Sequence, residues 1–455
     1  MAGRMEVVII ETPSLGDRSY LVHDGAAALV VDPQRDLDRI LDAAEAAGVE
    51  ITHIAETHLH NDYVSGGLAL ARRVGARYLH AAAEDLAFDH DPVVGGDIVE
   101  VGDLRVEVLA TPGHTLHHLS YIVRDEDGPP AAFTGGSLLL GSVGRTDLVD
   151  AVPTDELTRA QFHSAHRIVS LLPDDACVYP THGFGSFCSS AKSTGESDGT
   201  VGTEKKVNVA FTAASEDDFV EQLISGLSAH PAYYAHMAPL NAAGPQPIDL
   251  SPPAPVDPAE LARRIHRGEW VVDLRQRRAF AGDHVVGTIG IELADPFATY
   301  LGWLIPWGTA VTLLADTEDE IAEAQRQLVR VGIDRPSGAA DGGPDAYGEG
   351  HDRAGYAAVE FGQVPKMVEE DDTFVLDVRR EDEWDEGHIA GAVHVPMHEL
   401  LSRFDDVPAG RALVHCASGF RASIAASLLH RAGRDVVLID DAYDNAADAG
   451  VSIDD

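Results

Sequence analysis

Apolar and polar residues alternate over several short runs in the first sixty positions of the chain, and this period of two predicts β-strands. Gly16 and the Asp24–Gly25 pair interrupt the runs as turn-forming residues do. A stretch with helical spacing of apolar residues then leads to a further β-type run. The predicted elements are strands 7–10, 19–23, 28–32 and 51–56 and a helix over 37–47.

From residue 257 onward, helix-type and strand-type patterns alternate regularly. Such alternation is typical of parallel sheets flanked by helices, so we expect an α/β architecture in this part of the chain. The predicted helices are 258–267, 318–331 and 423–432, and the predicted strands include 311–314 and 412–415.

The same part of the chain contains an internal repeat. Asp273-Leu-Arg275 and Asp377-Val-Arg379 each end a strand of the buried type, and Phe280 and Trp384 follow five residues later. In both copies a short turn containing histidine comes next, at 283–287 and 386–391. Because self-similarity of this kind indicates repeated structural units, we expect two related domains.

Two stretches with the composition of connectors predict the domain boundaries. Residues 244–255 contain five prolines, which favour an extended linker, and residues 337–355 are rich in Gly, Asp and Ala without apolar periodicity. We therefore expect domains at 1–245, 257–337 and 358–455, joined by linkers at 246–256 and 338–357.

Composition excludes several classes of function. The 455 residues include 33 Lys+Arg and 75 Asp+Glu, a net charge of −42, which disfavours binding to nucleic acids and to anionic membranes. The scarcity of lysine fits either a high-salt habitat or a GC-rich genome. No apolar run is long enough for a membrane helix, the N-terminal apolar stretch is too short for a signal peptide, and three cysteines cannot form a disulfide framework. We expect a reduced, cytoplasmic protein, with homo-oligomerisation left open.

Histidines and a carboxylate follow β-type runs at three places. Alternate side chains of an extended chain point the same way, so the residues of the His-x-His-x-Asp sequence can converge on one point. Neutral imidazoles with a carboxylate suit Zn²⁺ or Fe²⁺. We interpret His117 and His118, in a predicted helix start, as structural. The candidate ligands are His58, His60, Asp62, His114 and His182.

Residues 5–190 resemble the metallo-β-lactamase superfamily, and within it the persulfide dioxygenases, which often carry rhodanese domains on the same chain. The likeness rests on the histidine motifs and on Asp32-Pro33, 111–115, 133–135 and 144–147. The resemblance implies an αββα sandwich that oxidises a low-molecular-weight thiol persulfide to sulfite with O2. It also implies one Fe²⁺, held by His58, by His114 and by an aspartate.

The chain departs from that pattern at two positions. Gly136 stands where the family has the aspartate ligand, and Tyr63 stands where the superfamily usually has histidine. A two-metal centre is therefore not expected, and His60 is expected to complete a three-imidazole site for one Fe²⁺, with Zn²⁺ as the alternative. Gly136→Asp should restore the ligand set unless a positive φ at this position opposes a Cβ.

Cys416 begins a loop between a predicted strand and a predicted helix. Loop N–H groups and a helix N-terminus stabilise a thiolate in such a position. The segment resembles a rhodanese domain, whose loop has Cys first, Gly fourth and a basic residue sixth, here Cys416, Gly419 and Arg421; Ala417 departs from the usual polar residue. The resemblance implies transfer of sulfane sulfur from thiosulfate or a persulfide through Cys416. Residues 257–337 have no cysteine, so we expect that copy to be silent.

Other residues and other functions stay open at this point. Arg145, Lys205 and Lys206 are candidates for binding acidic groups of the thiol carrier, and Cys188 either packs as a buried thiol or lines a substrate entrance. The alternative functions are a metal-dependent thioester hydrolase like glyoxalase II and a metal-free protein that relays or senses sulfur.

Overall fold

A computed structural model of the chain describes residues 4–126, 128–149, 151–183, 185–190 and 199–454. The chain divides into two compact units. Unit 1 contains Met1–Ile248 and Val329–Gly332, and unit 2 contains Asp249–Leu328 and Ile333–Asp455. Unit 2 holds both copies of the sequence repeat, so the finer division into three domains stays a prediction.

Unit 1 contains two six-stranded mixed sheets. In the first sheet the strands follow chain order, and pairing changes from antiparallel to parallel after the third strand. Its strands are Glu6–Thr12, Asp17–His23, Ala27–Val31, Glu50–Ala55, Arg77–Ala81 and Asp91–Val93. The second sheet is antiparallel except between its fourth and fifth strands. Its strands are Ile98–Val101, Leu104–Ala110, Leu119–Arg124, Ala131–Gly135, Cys177–Pro180 and Gly199–Thr200.

Three apolar cores make unit 1 a four-layer structure. Tyr20 and Leu29 of the first sheet and Tyr121 and Phe133 of the second belong to one buried core between the sheets. Two further cores lie under the helices on the outer faces. The αββα sandwich implied by the resemblance is therefore confirmed. The helices are Asp38–Ala47, Gly67–Val74, Thr154–Ser170, Val201–Val207, Val209–Thr212, Glu216–Ser225 and Tyr234–Ala243.

The strands predicted near the N-terminus are confirmed, with boundaries that differ by one or two residues. The predicted helix start at His117 and His118 is wrong, because these residues form a turn that leads into strand Leu119–Arg124. The His118 carbonyl accepts a hydrogen bond from the Thr111 N–H at 2.9 Å, which closes this turn against the preceding strand.

Unit 2 contains two parallel sheets flanked by helices, as the alternating pattern predicted. The first has the order Ile289–Gly290, Trp270–Asp273, Val311–Leu314, Gly338–Ala340, and the second Ala357–Val359, Asp435–Ile439, Arg411–His415, Thr373–Asp377, Val393–His394. Short strands pair as His284–Val285 with Arg353–Ala354 and His388–Ile389 with Ile453–Asp454. The helices are Pro258–His266, Arg277–Gly282, Phe297–Leu304, Glu318–Arg330, Pro344–Tyr347, Val364–Met367, Glu381–Asp385, Phe420–Arg431 and Asn445–Asp448. Among the described residues, no helix has the length and apolar character needed to cross a bilayer.

The segment 338–357, expected as a connector, begins with a strand of the first parallel sheet of unit 2. Gly338–Ala340 pairs with Val311–Leu314, and the buried Tyr347 donates a hydrogen bond to Asp273 Oδ2 at 3.0 Å. The sequence did not show this because an edge strand of glycine and alanine has no apolar periodicity.

The two copies of the repeat form the same ion-pair clamp at the end of a central strand. Arg275 Nη2 lies 2.8 Å from Asp273 Oδ2 and donates to the Asp283 carbonyl at 2.9 Å. Arg379 Nη2 lies 2.7 Å from Asp377 Oδ2 and donates to the Gly387 carbonyl at 2.9 Å. This identical geometry supports the internal repeat and shows that the clamp joins the strand end to the following turn.

Replacing Arg379 by Ala is expected to lower the free energy of unfolding of unit 2 by about 3 kcal/mol, because the buried Asp377 carboxylate loses its partner. All four tryptophans lie in unit 2, so tryptophan fluorescence during urea titration reports on that unit. Arg403→Ala removes only ion pairs of a side chain that is 39% exposed, and should cost less than about 1 kcal/mol. Equal effects of both substitutions would contradict the structural importance of the clamp.

Candidate metal centre and candidate thiol site

The Asp32 carboxylate joins the two sheets of unit 1 beside the predicted histidine motifs. It accepts hydrogen bonds from the Thr57 N–H and the Thr57 hydroxyl, both at 2.7 Å, and from the Thr181 hydroxyl. Thr57 follows a strand of the first sheet and Thr181 follows a strand of the second. Burial opposes the charge, but His60 and these donors outweigh it and lower the pKa of Asp32 to about 2.

The predicted histidines converge, and this carboxylate holds the segments of His58 and His182. His58 Nε2 lies 3.3 Å from His182 Nε2, close to the roughly 3.3 Å expected between two nitrogen ligands of one tetrahedral zinc ion. The His114 ring centre lies 4.8 Å from that of His58 and 5.3 Å from that of His182. His60 is next to His58, with ring centres 4.1 Å apart. All four side chains are buried.

The outer nitrogen of each of three rings has a fixed partner. His114 Nδ1 donates to the Arg145 carbonyl at 2.7 Å, and His58 Nδ1 lies 2.9 Å from the Thr57 hydroxyl. His182 Nδ1 lies 2.9 Å from Asp17 Oδ1. Partners of this kind orient metal-binding imidazoles, and they leave Nε2 of each ring available.

The electrostatics of His58 and His114 favour the neutral imidazoles that metal ions require. Burial and the neighbouring imidazoles lower the pKa of His58 well below its usual value and that of His114 to about 3. Among the described residues, His114 Nε2 and His60 Nδ1 have no hydrogen-bond partner. These orphaned buried nitrogens fit a bound cation, which would supply the interaction that they lack.

His60 has a second environment on its other side. Its Nε2 lies 3.2 Å from Asp32 Oδ1, 3.2 Å from Glu56 Oε2 and 3.0 Å from the Tyr63 hydroxyl. Burial opposes the protonated form, but the Asp32 and Glu56 carboxylates raise the pKa of His60 to about 9. An ion at Nδ1 must therefore displace a proton.

Asp62 and Asp17 form a buried carboxylate pair against His182. Asp62 Oδ2 lies 3.0 Å from His182 Nδ1, and burial together with Asp62 raises the pKa of Asp17 to about 8. The coupled Asp62 carboxylate has a lowered pKa because His182 outweighs its burial. Sequence reasoning missed Asp17, which is 165 positions from His182 and belongs to no local motif.

The obstacle to a side chain at position 136 is steric. Gly136 is not among the residues with positive φ, so the backbone itself does not oppose a Cβ there. A Cβ on Gly136 would lie 2.2 Å from Cδ2 of His114. The His114 ring therefore fills the space that an aspartate at this position would need.

The side chain expected to bind substrate in unit 1 has other contacts in the structure. The Arg145 guanidinium is paired with Asp147 at 2.7 Å and donates to the carbonyls of Phe187 and Ser228. With 1% of the residue exposed, Arg145 holds loop segments together instead of meeting a substrate from solvent. Lys205 is paired with Asp174. The other candidate, Lys206, lies on the same helix.

In unit 2 the predicted thiol site has the expected loop. Cys416 follows strand Arg411–His415, and the Gly419 N–H donates to its sulfur at 3.2 Å. Gly419 has a φ of 90° and precedes helix Phe420–Arg431, so a residue without Cβ is favoured there. Arg421 is held by Glu383 through two contacts of 2.5 and 2.7 Å, a partner that the sequence did not indicate.

The cysteine-free copy of the repeat contributes residues beside this loop. Arg277 Nε lies 2.5 Å from Asp440 Oδ1, and its Nη2 lies 3.5 Å from the Ser418 carbonyl. The ring of Tyr300 packs on Phe420 with 5.7 Å between centres. The cysteine-free copy thus forms part of the surroundings of Cys416.

Comparisons with known proteins assign a family to a segment of each unit. The sequence model of the metallo-beta-lactamase superfamily matches residues 17–182, and that of the rhodanese-like domain matches residues 360–449. A hydroxyacylglutathione hydrolase of Acidiphilium cryptum is 32% identical over 177 residues, 38% of this chain and 68% of that protein. The mitochondrial persulfide dioxygenase ETHE1 of Homo sapiens is 27% identical over 246 residues, 53% of this chain and 80% of that protein.

A solved structure is similar over a larger part of the chain. A metallo-beta-lactamase from Staphylococcus aureus has a TM-score of 0.66 and 28% identity, and the match covers 74% of this chain and 99% of that one. The hydroxyacylglutathione hydrolase of Albidiferax ferrireducens is 31% identical over 38% of this chain, and the match covers 65% of that protein.

Two neighbouring histidines provide a matched test of the metal centre. His114→Asn should weaken binding of a divalent ion more than about tenfold, because His114 Nε2 is lost. His118→Asn should retain the ion, because Thr111 and the Gly136 N–H already occupy both nitrogens of His118. Isothermal titration with Zn²⁺ measures both affinities. Retention by His114→Asn would contradict the assignment of this ligand.

Gly136→Asp is expected to weaken the metal centre, in contrast to the restoration that the sequence suggested. The new Cβ displaces the His114 ring, so Gly136→Ala should lower Zn²⁺ affinity as well. Titration of both variants and of Gly362→Ala, where a Cβ meets nothing within 4 Å, separates this effect from a general effect of substitution. Tighter binding by Gly136→Asp than by the unmodified chain would show that the ring can yield.

Proposed function

Since the chain belongs to the metallo-β-lactamase superfamily and carries a C-terminal rhodanese-like domain, we propose that it is a sulfur-metabolism enzyme with two active sites. Unit 1 oxidises a low-molecular-weight thiol persulfide to sulfite with O2. Unit 2 transfers sulfane sulfur through Cys416, with thiosulfate, sulfite or a persulfide as reactants. Residues 257–337 act as a silent rhodanese-like domain and residues 358–455 as the active one.

Persulfide oxidation in unit 1 is proposed because of the buried histidine cluster. In this cluster Tyr63 and Gly136 stand at the two positions where the superfamily has further metal ligands. The cluster supplies ligands for one ion, whereas the hydroxyl of Tyr63 is engaged with His60 and the Asp32 carbonyl. The two-metal centre of a thioester hydrolase would need a metal ligand at each of these two positions, and this chain has neither. Similarity to a persulfide dioxygenase over 80% of that protein's length supports the same choice.

We assign one Fe²⁺ per chain to this cluster, with Zn²⁺ as the alternative. The residues that would hold it are His58, His60 and His114, with Asp62 and His182 nearby. When bound, a ferrous ion supplies open positions at which a persulfide sulfur and O2 can react.

The chain's own residues prepare the site for that ion. Thr57, the Arg145 carbonyl and Asp17 fix the ring orientations of His58, His114 and His182, so little reorganisation is needed on binding. Complete burial of these rings excludes bulk water, which strengthens electrostatic interactions within the site.

The Cys416 loop performs the transfer reaction in two displacements. The Cys416 thiolate attacks the outer sulfur of the donor, the donor S–S bond breaks, and a thiolate or sulfite leaves with the electron pair. The outer sulfur is then held as a Cys416 persulfide beside the Gly419 N–H. Attack by an acceptor thiolate or by sulfite on that sulfur regenerates the Cys416 thiolate. The Arg421–Glu383 pair holds the first turn of the helix that closes the loop.

A reciprocal pair of variants tests the two halves. Cys416→Ser should reduce thiosulfate:acceptor sulfurtransfer to the uncatalysed rate while metal content and sulfite production from a thiol persulfide and O2 persist. His114→Asn should abolish sulfite production and retain sulfurtransfer, because each reaction uses a different unit. Cys177→Ser is the control for loss of a thiol.

Elemental analysis of protein purified without oxygen accompanies these assays. One iron per chain supports the dioxygenase, two zinc ions support the hydrolase, and absence of metal supports a relay or sensing protein. Sulfurtransfer that survives in Cys416→Ser, or sulfite production that survives in His114→Asn, would contradict the corresponding half of the proposal.

A further inference from the structure

Cys188 is a buried thiol beside the histidine cluster to which the proposed function gives no task. The Cys188 sulfur and one nitrogen each of His114 and His182 all lie within 4.8 Å of one another. Nδ1 of His114 faces the Arg145 carbonyl and Nδ1 of His182 faces Asp17, so Nε2 of each ring is the atom left for an ion. His114 Nε2 is fully buried and has no hydrogen-bond partner among the described residues.

We propose that Cys188 is a thiolate ligand of the metal ion in unit 1, together with His114 and His182. This inference rests on the proposed metal centre and adds to it a ligand of a different chemical class. Binding forms a metal–sulfur bond and releases the thiol proton to solvent, with no change of oxidation state. Cysteine thiolate is a softer ligand than imidazole and favours Zn²⁺ and other thiophilic ions over hard cations.

The charge of the site supports an anionic ligand at this place. Gly136 offers no carboxylate, and imidazole ligands are neutral, so the ligand atoms themselves do not offset the charge of a divalent ion held by histidines alone. One thiolate lowers that charge by one unit and makes burial of the ion less costly. The Asp62 carboxylate faces Nδ1 of His182. Its oxygen lies close enough to share an ion with Asp17 and His182, whereas Cys188 is grouped with His114 and His182.

A single residue positions Cys188 and His114 together. The Arg145 N–H donates to the Cys188 carbonyl at 2.9 Å, and the Arg145 carbonyl accepts from His114 Nδ1 at 2.7 Å. The Cys188 N–H also donates to the Ser186 hydroxyl at 3.2 Å. The Cys188 backbone and the His114 imidazole are therefore held by the two ends of one residue.

Cobalt provides a spectroscopic test because only a thiolate ligand gives a strong near-ultraviolet charge-transfer band with Co²⁺. The full chain, Cys177→Ser and Cys416→Ser should each bind one Co²⁺ in unit 1 and show the band. Cys188→Ser should lose the band and bind Co²⁺ at least about tenfold more weakly. Cys177 is the matched control because it is the other cysteine of unit 1 and is half-buried on strand Cys177–Pro180.

The outcomes separate the new ligand from the metal centre itself. One bound Co²⁺ without the band, or a band that persists in Cys188→Ser, would overturn the Cys188 assignment and leave the histidine centre in place. Absence of any Co²⁺ binding by the full chain would overturn both.

A second measurement does not depend on whether Cys188→Ser folds. In the Cys177→Ser/Cys416→Ser double variant, Cys188 is the only thiol of the chain. X-ray absorption at the zinc edge of this variant should show one sulfur scatterer at about 2.3 Å in addition to nitrogen at about 2.0 Å. A zinc shell made only of nitrogen and oxygen would overturn the proposal.

Discussion

The buried carboxylate of Asp32 is the interaction on which the histidine centre depends. Asp32 directly follows a strand of the first sheet and has a φ of 50°, in the left-handed region. Its carboxylate accepts hydrogen bonds from threonines that follow strands of both sheets. Thr57 and Thr181 are the residues immediately before His58 and His182. One carboxylate therefore sets the distance between two histidine segments that are more than a hundred residues apart, and it also contacts His60.

The imidazoles are positioned by groups other than Tyr63 and Gly136, the two positions that depart from the pattern of the resemblance. Thr57, the Arg145 carbonyl and Asp17 orient their imidazoles, and the His114 ring occupies the space next to Gly136. The two departures thus bear on the charge and the number of ligands more than on the scaffold. Unit 2 shows the same separation of scaffold and chemistry, because its cysteine-free copy retains the Asp273–Arg275 clamp without a nucleophile.

Local patterns predicted what depends on local periodicity and motifs. Alternating residues located the strands that precede the histidines, and the spacing of Cys416, Gly419 and Arg421 located the thiol loop. The edge strand Gly338–Ala340 was missed because its small residues have no amphipathic period. Asp17, Glu383 and the Cys188–His114 proximity were missed because each arises from contacts between distant segments, which one sequence does not display. The steric role of Gly136 likewise required the position of the His114 ring.

The central claim is that unit 1 binds one metal ion at its histidine cluster. Anomalous X-ray diffraction from crystals grown without oxygen, with data collected on both sides of the iron and zinc edges, locates and identifies such an ion directly. One anomalous peak is expected within coordination distance of Nε2 of His58 and of His114. Two peaks about 3.5 Å apart, or no peak at these histidines, would contradict it.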